Sequence, residues 1–114
     1  MKKLLVLMMT IIAAVAMLAA GCGGGEKKAA EKVLRVGTEP TFAPFEFQKE
    51  GSSEFTGFDM DLIRAIGKQA GYKVEIQNMG FDALIPALNA GNIDVTIAGM
   101  SITEERKGAV AFAD

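Results

Sequence analysis

From Val33 onward the apolar residues of this chain change period repeatedly, alternating between the spacing of a strand and that of a helix, and the two longer helical stretches each run into a glycine. That alternation constrains the fold more than any other feature. A strand buries every second side chain and an amphipathic helix one in three or four, so a segment written in one period does not settle as the other. Val33 to Gly37 is a short β-like run. The stretch after it, through Glu46, contains Pro40 and Pro44, which fix φ and lack an N–H, and so favours an extended loop. Phe45, Phe47 and Phe55 flank a polar turn from Lys49 to Ser53, predicting a small hairpin.

Phe58, Leu62 and Ile66, joined by Ile63 and Ala70, recur at helical spacing. Asp59 and Asp61 fall in the first turn, Lys68 in the last and Gly71 beyond it, an arrangement that suits the helix dipole and a left-handed cap. Tyr72 to Gln77 alternates as a strand, and a second helix is predicted over Asp82 to Ala90, ending at Gly91. Pro86 fits that helix only if it starts late or kinks. Asp94 to Ala98 reads as a third strand, and Thr103 as the cap of a third helix with Glu104 and Glu105 in its first turn.

The resulting order is strand, hairpin, helix, strand, helix, strand, helix, which predicts an α/β fold with a mostly parallel sheet and helices on both faces. The residues after Cys22 supply too few strands to close a typical doubly wound sheet, and Ala111 to Asp114 carries no terminal turn signal. Both features predict an incomplete domain, either a truncated open reading frame or a deliberate fragment.

Ahead of this pattern, Lys2 and Lys3 precede an apolar run from Leu4 to Ala20, followed by Gly21, Cys22 and three glycines ending at Gly25. Charge, apolar stretch and small residues in that order read as an export signal over residues 1–21. A retained membrane span is the alternative, but the run is shorter than the roughly 20 residues a span needs and lacks a charged stop. Leu18-Ala19-Ala20-Gly21-Cys22 resembles the lipobox of bacterial lipoproteins, with Leu18 one place earlier than the usual leucine. The resemblance implies cleavage before Cys22 and a diacylglycerol on its sulfur, hence a membrane anchor on the outer face or in the periplasm; the plainer alternative is a stray thiol. Residues 22–32, small or charged, then form a lipid-anchored flexible tether, with the folded part at 33–114.

Composition removes several functions. The formal charge is −2, and it becomes more negative if Lys2 and Lys3 leave with the leader, so nucleic acid finds no basic footprint. One cysteine permits no internal disulfide. The histidine count is 0, which excludes a Ser-His-Asp triad, a Cys-His pair or a histidine-bearing metal site within this chain, and no cofactor or metal is implied. Asp59 and Asp61 lie two apart on a helix, do not face each other and read as partners of the dipole.

In open parallel sheets ligands bind beyond the carboxyl ends of the strands, where strand order reverses. Three loops leave such ends: Thr38 to Pro44, Asn78 to Asp82 and Gly99 to Thr103. They carry Glu39, Phe42, Phe81, the backbone around Ala98 and Gly99, Ser101 and, in the following helix, Arg106. These groups suit a small zwitterion: a guanidinium gives a carboxylate two parallel donors, helix N-terminal amides add positive charge, and aromatic faces sandwich an aliphatic or cationic side chain. Each has a plainer role beside it. Phe42 and Phe81 fit a core, Arg106 fits a solvated helix face beside Glu104, Glu105 and Lys107, and Glu39 fits an ordinary loop.

Four ordered blocks then match a known family: Val36 to Phe47, Gly57 to Leu62, Phe81 to Leu88 and Ala98 to Lys107. From Leu34 to Asp114 the chain resembles the polar amino-acid-binding proteins of ABC importers, which include glutamine-binding and lysine/arginine/ornithine-binding proteins. The resemblance implies the first lobe of a two-lobed type II periplasmic-binding-protein fold that closes over one free amino acid, is monomeric when complete and docks on ABC permease membrane subunits. It implies that Arg106 binds the ligand α-carboxylate with help from Gly99 and Ser101, that Phe42 and Phe81 line the side-chain pocket and that Glu39 contacts a polar ligand side chain. Aspartate is common at this last position; glutamate leaves a cationic or amide ligand, glutamine or a basic amino acid, open. With the second lobe and the returning strand of the first outside this chain, the fragment alone is expected to bind poorly. Two other classes remain: a sensor input domain, which would continue into a transmembrane helix instead of carrying a lipobox, and a dehydratase or lyase, whose catalytic groups would lie elsewhere.

Overall fold

The structure is a computed structural model and describes residues 30–113. The elements in chain order are β1 (Val33–Thr38), β2 (Thr41–Phe42), β3 (Glu46–Gln48), β4 (Phe55–Thr56), α1 (Phe58–Ala70), β5 (Lys73–Asn78), α2 (Phe81–Asn89), β6 (Val95–Thr96) and α3 (Glu104–Lys107). The expected export signal, lipid attachment at Cys22 and most of the tether lie outside the described residues.

Two sheets form. The larger has the order β5-β1-β6, with both neighbours parallel to β1, from Val33↔Lys73 to Thr38↔Asn78 on one side and at Val36↔Val95 and Gly37↔Thr96 on the other. The chain therefore leaves β1 to one side and returns to its other side, which makes β1 the point of reversal. The smaller sheet, β2-β3-β4, is antiparallel; it contains the predicted hairpin and adds Thr41 and Phe42, read from sequence as loop, as a third short strand.

Helices cover both faces of the parallel sheet. A Cβ on Gly67 of α1 would strike Val74 of β5, which is in register with Leu34 of β1. A Cβ on Gly37 would meet Ile93 at 2.5 Å and Leu84 of α2 at 3.1 Å. Leu34 and Gly37 are separated by an odd number of positions, so they point to opposite faces, and α1 and α2 pack on opposite sides. A side chain at Gly67 would enter the helix–sheet contact with Val74, and one at Gly37 would displace Ile93 and press on Leu84. Val36, Met60, Leu84 and Ile93 are buried, each full burial of such a side chain being worth about 1.5 to 3 kcal/mol.

The structure shifts several predicted boundaries. On α1 the buried side chains include Met60 and Ile63, whereas Phe58, Leu62 and Ile66 of the predicted apolar series remain exposed at 62%, 40% and 48%. The apolar arc of α1 is wider than the surface the described residues lay against it. As expected, α1 ends at Gly71 in the left-handed conformation, φ 79°. The second helix begins at Phe81 and runs through Pro86; that residue's missing N–H removes one bond to the preceding turn, while its carbonyl accepts the Ala90 N–H at 3.0 Å. The third strand is reduced to Val95 and Thr96, although Asp94 N–H and Ile97 N–H still donate to the Arg35 and Gly37 carbonyls on either side of it. Among the described residues no helix is long and apolar enough to cross a membrane.

Candidate functional site

Because β1 is central, the loops leaving β1 and β6 sit side by side at the carboxyl edge of the sheet, where the order reverses. The predicted site residues meet there in two clusters. In the first, the Phe42 ring stacks on Phe45 with centroids 5.4 Å apart, and its edge lies 3.2 Å from where a Gly99 Cβ would stand. Gly99 has φ 56°, so glycine satisfies both the left-handed backbone and the contact with the ring. Phe42 is 54% exposed, which removes it from the core and leaves its face open at the rim.

In the second cluster, the Arg106 guanidinium lies over the Phe81 ring at 5.3 Å from its centroid and donates from one terminal nitrogen to the Ser101 carbonyl at 2.9 Å. Its backbone N–H donates to Thr103 Oγ1 at 3.2 Å, the predicted cap. Arg106 is therefore held over the loop, while the solvated-face role belongs to its neighbours: Lys107 pairs with Glu104 at 3.0 Å. The expected contribution of helix N-terminal amides is small, because α3 has four residues and its cap already takes one N–H. Ser101 is exposed, Phe81 half-buried at the first turn of α2, and Ala98 buried at 5% exposure where β6 becomes the loop. Glu39 is half-buried after β1, and its charge reaches Glu46.

Sequence reasoning missed two carboxyl groups behind the rim. Asp59, read as a dipole partner, is 7% exposed and its Oδ2 accepts the Gly99 N–H at 3.2 Å across 40 residues of chain. Glu46 is 1% exposed. Burial and a hydrogen bond with Asp59, together with the charges of Asp59 and Glu39, push its carboxyl up to about 7 from an ordinary 4.5. The only local signal was the setting of each between apolar neighbours, Phe45 and Phe47 for Glu46, Phe58 and Met60 for Asp59.

The rim of this parallel α/β arrangement thus carries an arginine, exposed aromatic faces and a polar loop at the point where strand order reverses. Residues 34–114 match the bacterial extracellular solute-binding proteins, family 3, and the chain belongs to that family. It is similar to the arginine-binding extracellular protein ArtP of Bacillus subtilis (40% identity over 114 residues, covering 100% of this chain and 44% of the relative). It is also similar to the histidine-binding periplasmic protein of Salmonella typhimurium (41% over 86 residues, 75% of this chain and 33% of the relative). Among solved structures, an ancestral arginine-binding protein bound to arginine superposes with TM-score 0.71 at 57% identity, covering 74% of this chain and 37% of its own. The arginine-bound form of domain 1 from TmArgBP matches with TM-score 0.69 at 49% identity, covering 72% of this chain and 64% of its own. The chain spans less than half the length of the curated relatives it matches. The architecture is thus a partial type II binding-protein lobe, as the family resemblance implied, built on the parallel sheet with helices on both faces that the alternating periods predicted.

Proposed function

We propose that this chain supplies the first lobe of the substrate-binding component of an ABC importer, capturing a polar amino acid, with arginine the favoured ligand over glutamine and other basic amino acids. The observation that carries the reading is the placement of Arg106, held between the Phe81 ring and the Ser101 carbonyl on the rim that also presents Phe42. A guanidinium so fixed needs no reordering to receive an α-carboxylate in two parallel hydrogen bonds. The exposed Phe42 face suits the flat cation of an arginine side chain, and Glu39 supplies the opposite charge nearby. Relatives bearing arginine and histidine in their names support a cationic ligand.

No step of this function is chemical: the product is a closed complex presented to permease membrane subunits. Cys22, lipidated after removal of residues 1–21, anchors the protein to the outer side of the cell membrane, with residues 22–32 as tether and 33–114 as the binding lobe. An arginine-bound form of domain 1 from TmArgBP supports ligand contacts made by a first lobe; this chain covers 64% of that domain and is still expected to bind poorly alone, because closure adds water exclusion and the second half of the contacts. Calorimetric titration of the full-length protein with L-arginine, L-histidine and L-glutamine tests the reading, the expected order being arginine tightest. Equal, millimolar binding of all three overturns it.

A further inference from the structure

Glu46 and Asp59 are the two buried carboxyl groups of the described residues, and they sit together where three parts of the rim are joined. Glu46 belongs to β3, and its backbone partner is Phe42, whose ring covers Gly99. Asp59 belongs to the first turn of α1, and its N–H donates to the Phe45 carbonyl at 2.9 Å. Its side chain accepts the Gly99 N–H at 3.2 Å. Glu46 Oε2 is buried without a partner among the described residues, and burial beside Asp59 raises the proton affinity of the Glu46 carboxyl.

We propose that the two buried carboxyl groups Glu46 and Asp59 act as a pair that fixes the Gly99 peptide for ligand capture, with Asp59 the positioning residue through its bond to the Gly99 N–H and Glu46 its control. One proton serves the pair: the Glu46 carboxylic acid donates to the Asp59 carboxylate, whose Oδ2 remains available to the Gly99 N–H. Removing that proton leaves two adjacent buried carboxylates. They must separate, and Asp59 then loses its alignment with Gly99, or Glu46 leaves its site and carries β3 and Phe42 with it.

Among the described residues no cation offsets the pair from the elements packed on it. Arg64 of α1 is engaged with the Phe55 carbonyl at 2.8 Å and lies 3.9 Å from Asp61. The strands β2 and β4 carry no ionisable side chain, nor does the segment Ile97 to Thr103, and Glu39 adds a further negative charge. The high proton affinity of Glu46 follows from this setting, and it puts the loss of the proton within the range of ordinary growth media.

The proposal rests on the amino-acid-binding reading, and its test separates the two. In the full-length protein, carboxyl-carbon NMR follows Glu46 without ligand while the Gly99 amide shift is recorded over pH 5 to 9. Glu46 is expected to titrate well above ordinary glutamates, with the Gly99 amide following the same curve. L-arginine affinity over the same range is expected to fall as pH rises, by about fivefold, the loss of one hydrogen bond to a positioning group. Glu46→Gln, whose amide donates to Asp59 at every pH, is expected to abolish the fall and keep the low-pH affinity. An ordinary Glu46 titration, a Gly99 amide that ignores it, or an unaltered pH dependence in Glu46→Gln overturns the proposal. Failure to bind L-arginine at any pH overturns the ligand reading, and the ligand-free titrations then still decide the pair.

Discussion

The two ends of the parallel sheet handle polar groups in opposite ways. Near its amino-terminal side, Arg35 and Asp94 lock β1 to the start of β6: the guanidinium donates from Nε at 3.0 Å and from a terminal nitrogen at 2.7 Å. The backbones close the same link, Arg35 N–H to Asp94 Oδ2 at 2.9 Å and Asp94 N–H to the Arg35 carbonyl at 2.8 Å. At the carboxyl rim, Thr38 Oγ1 and Glu46 Oε2 are buried without a partner among the described residues, and Phe42 lies open. One end satisfies its donors and acceptors to fix strand register. The other leaves two buried oxygens without a protein partner, at a cost in stability, and an aromatic ring exposed.

The largest effect should come from the core both ends share. Leu84 is fully buried beneath Gly37, and Leu84→Ala is expected to cost about 2 to 5 kcal/mol by denaturant titration, weakening both ends together. If binding survived at full affinity in a folded Leu84→Ala protein, the rim would be independent of the core.

Arg106→Ala separates the ends. It should lower L-arginine affinity by about 1.5 to 3 kcal/mol in calorimetry while leaving the unfolding midpoint nearly unchanged, because the side chain is half-buried and rests on a loop. Unchanged affinity would return Arg106 to the solvated helix face.

The carboxyl groups at the two ends should give opposite pH responses. Glu46 holds its proton up to about 7 instead of 4.5 in the unfolded chain, so the folded state loses stability as pH rises through that window and none below it. Glu46→Gln should therefore stabilise the protein by roughly 2 kcal/mol at pH 8 and have little effect at pH 4, read by thermal unfolding at the two pH values. Asp94 is held down to about 2 from 3.8 by its hydrogen bonds with Arg35, so its contribution is full above the unfolded value and disappears as pH falls through 2. Arg35→Ala should produce the smallest change, a slight fall in stability near neutrality that shrinks toward pH 2, with L-arginine affinity unaltered. Altered affinity would show that strand register at the amino side reaches the rim.

The legibility of these features follows their range along the chain. The left-handed Gly71 cap, the Thr103 cap and the hairpin around the turn at Lys49 to Ser53 are local, each set by residues a few positions apart, and all appear near their predicted places. Boundaries moved by one or two residues because pairing partners, not propensity, decide where a strand stops; β6 shrank to two residues in this way. The rim residues were legible as a set because the loops after parallel strands must emerge at one edge. That Phe42 lies on Gly99 and Arg106 on Phe81 was not, since loop backbone follows no hydrophobic period.

By itself, then, the sequence determined the alternation of strands and helices, the glycine-bounded helix ends, the three rim loops and the family pattern in them. Tertiary structure alone decided that β1 lies between β5 and β6, that Met60 is buried with the predicted Ile63 while Phe58, Leu62 and Ile66 stay exposed, and that two carboxyl groups are buried behind Gly99. Periodicity records which residues prefer to leave water. It carries no information about which element arrives to cover them, nor about which charged group is caught beneath it, because those depend on long-range pairing of the whole chain.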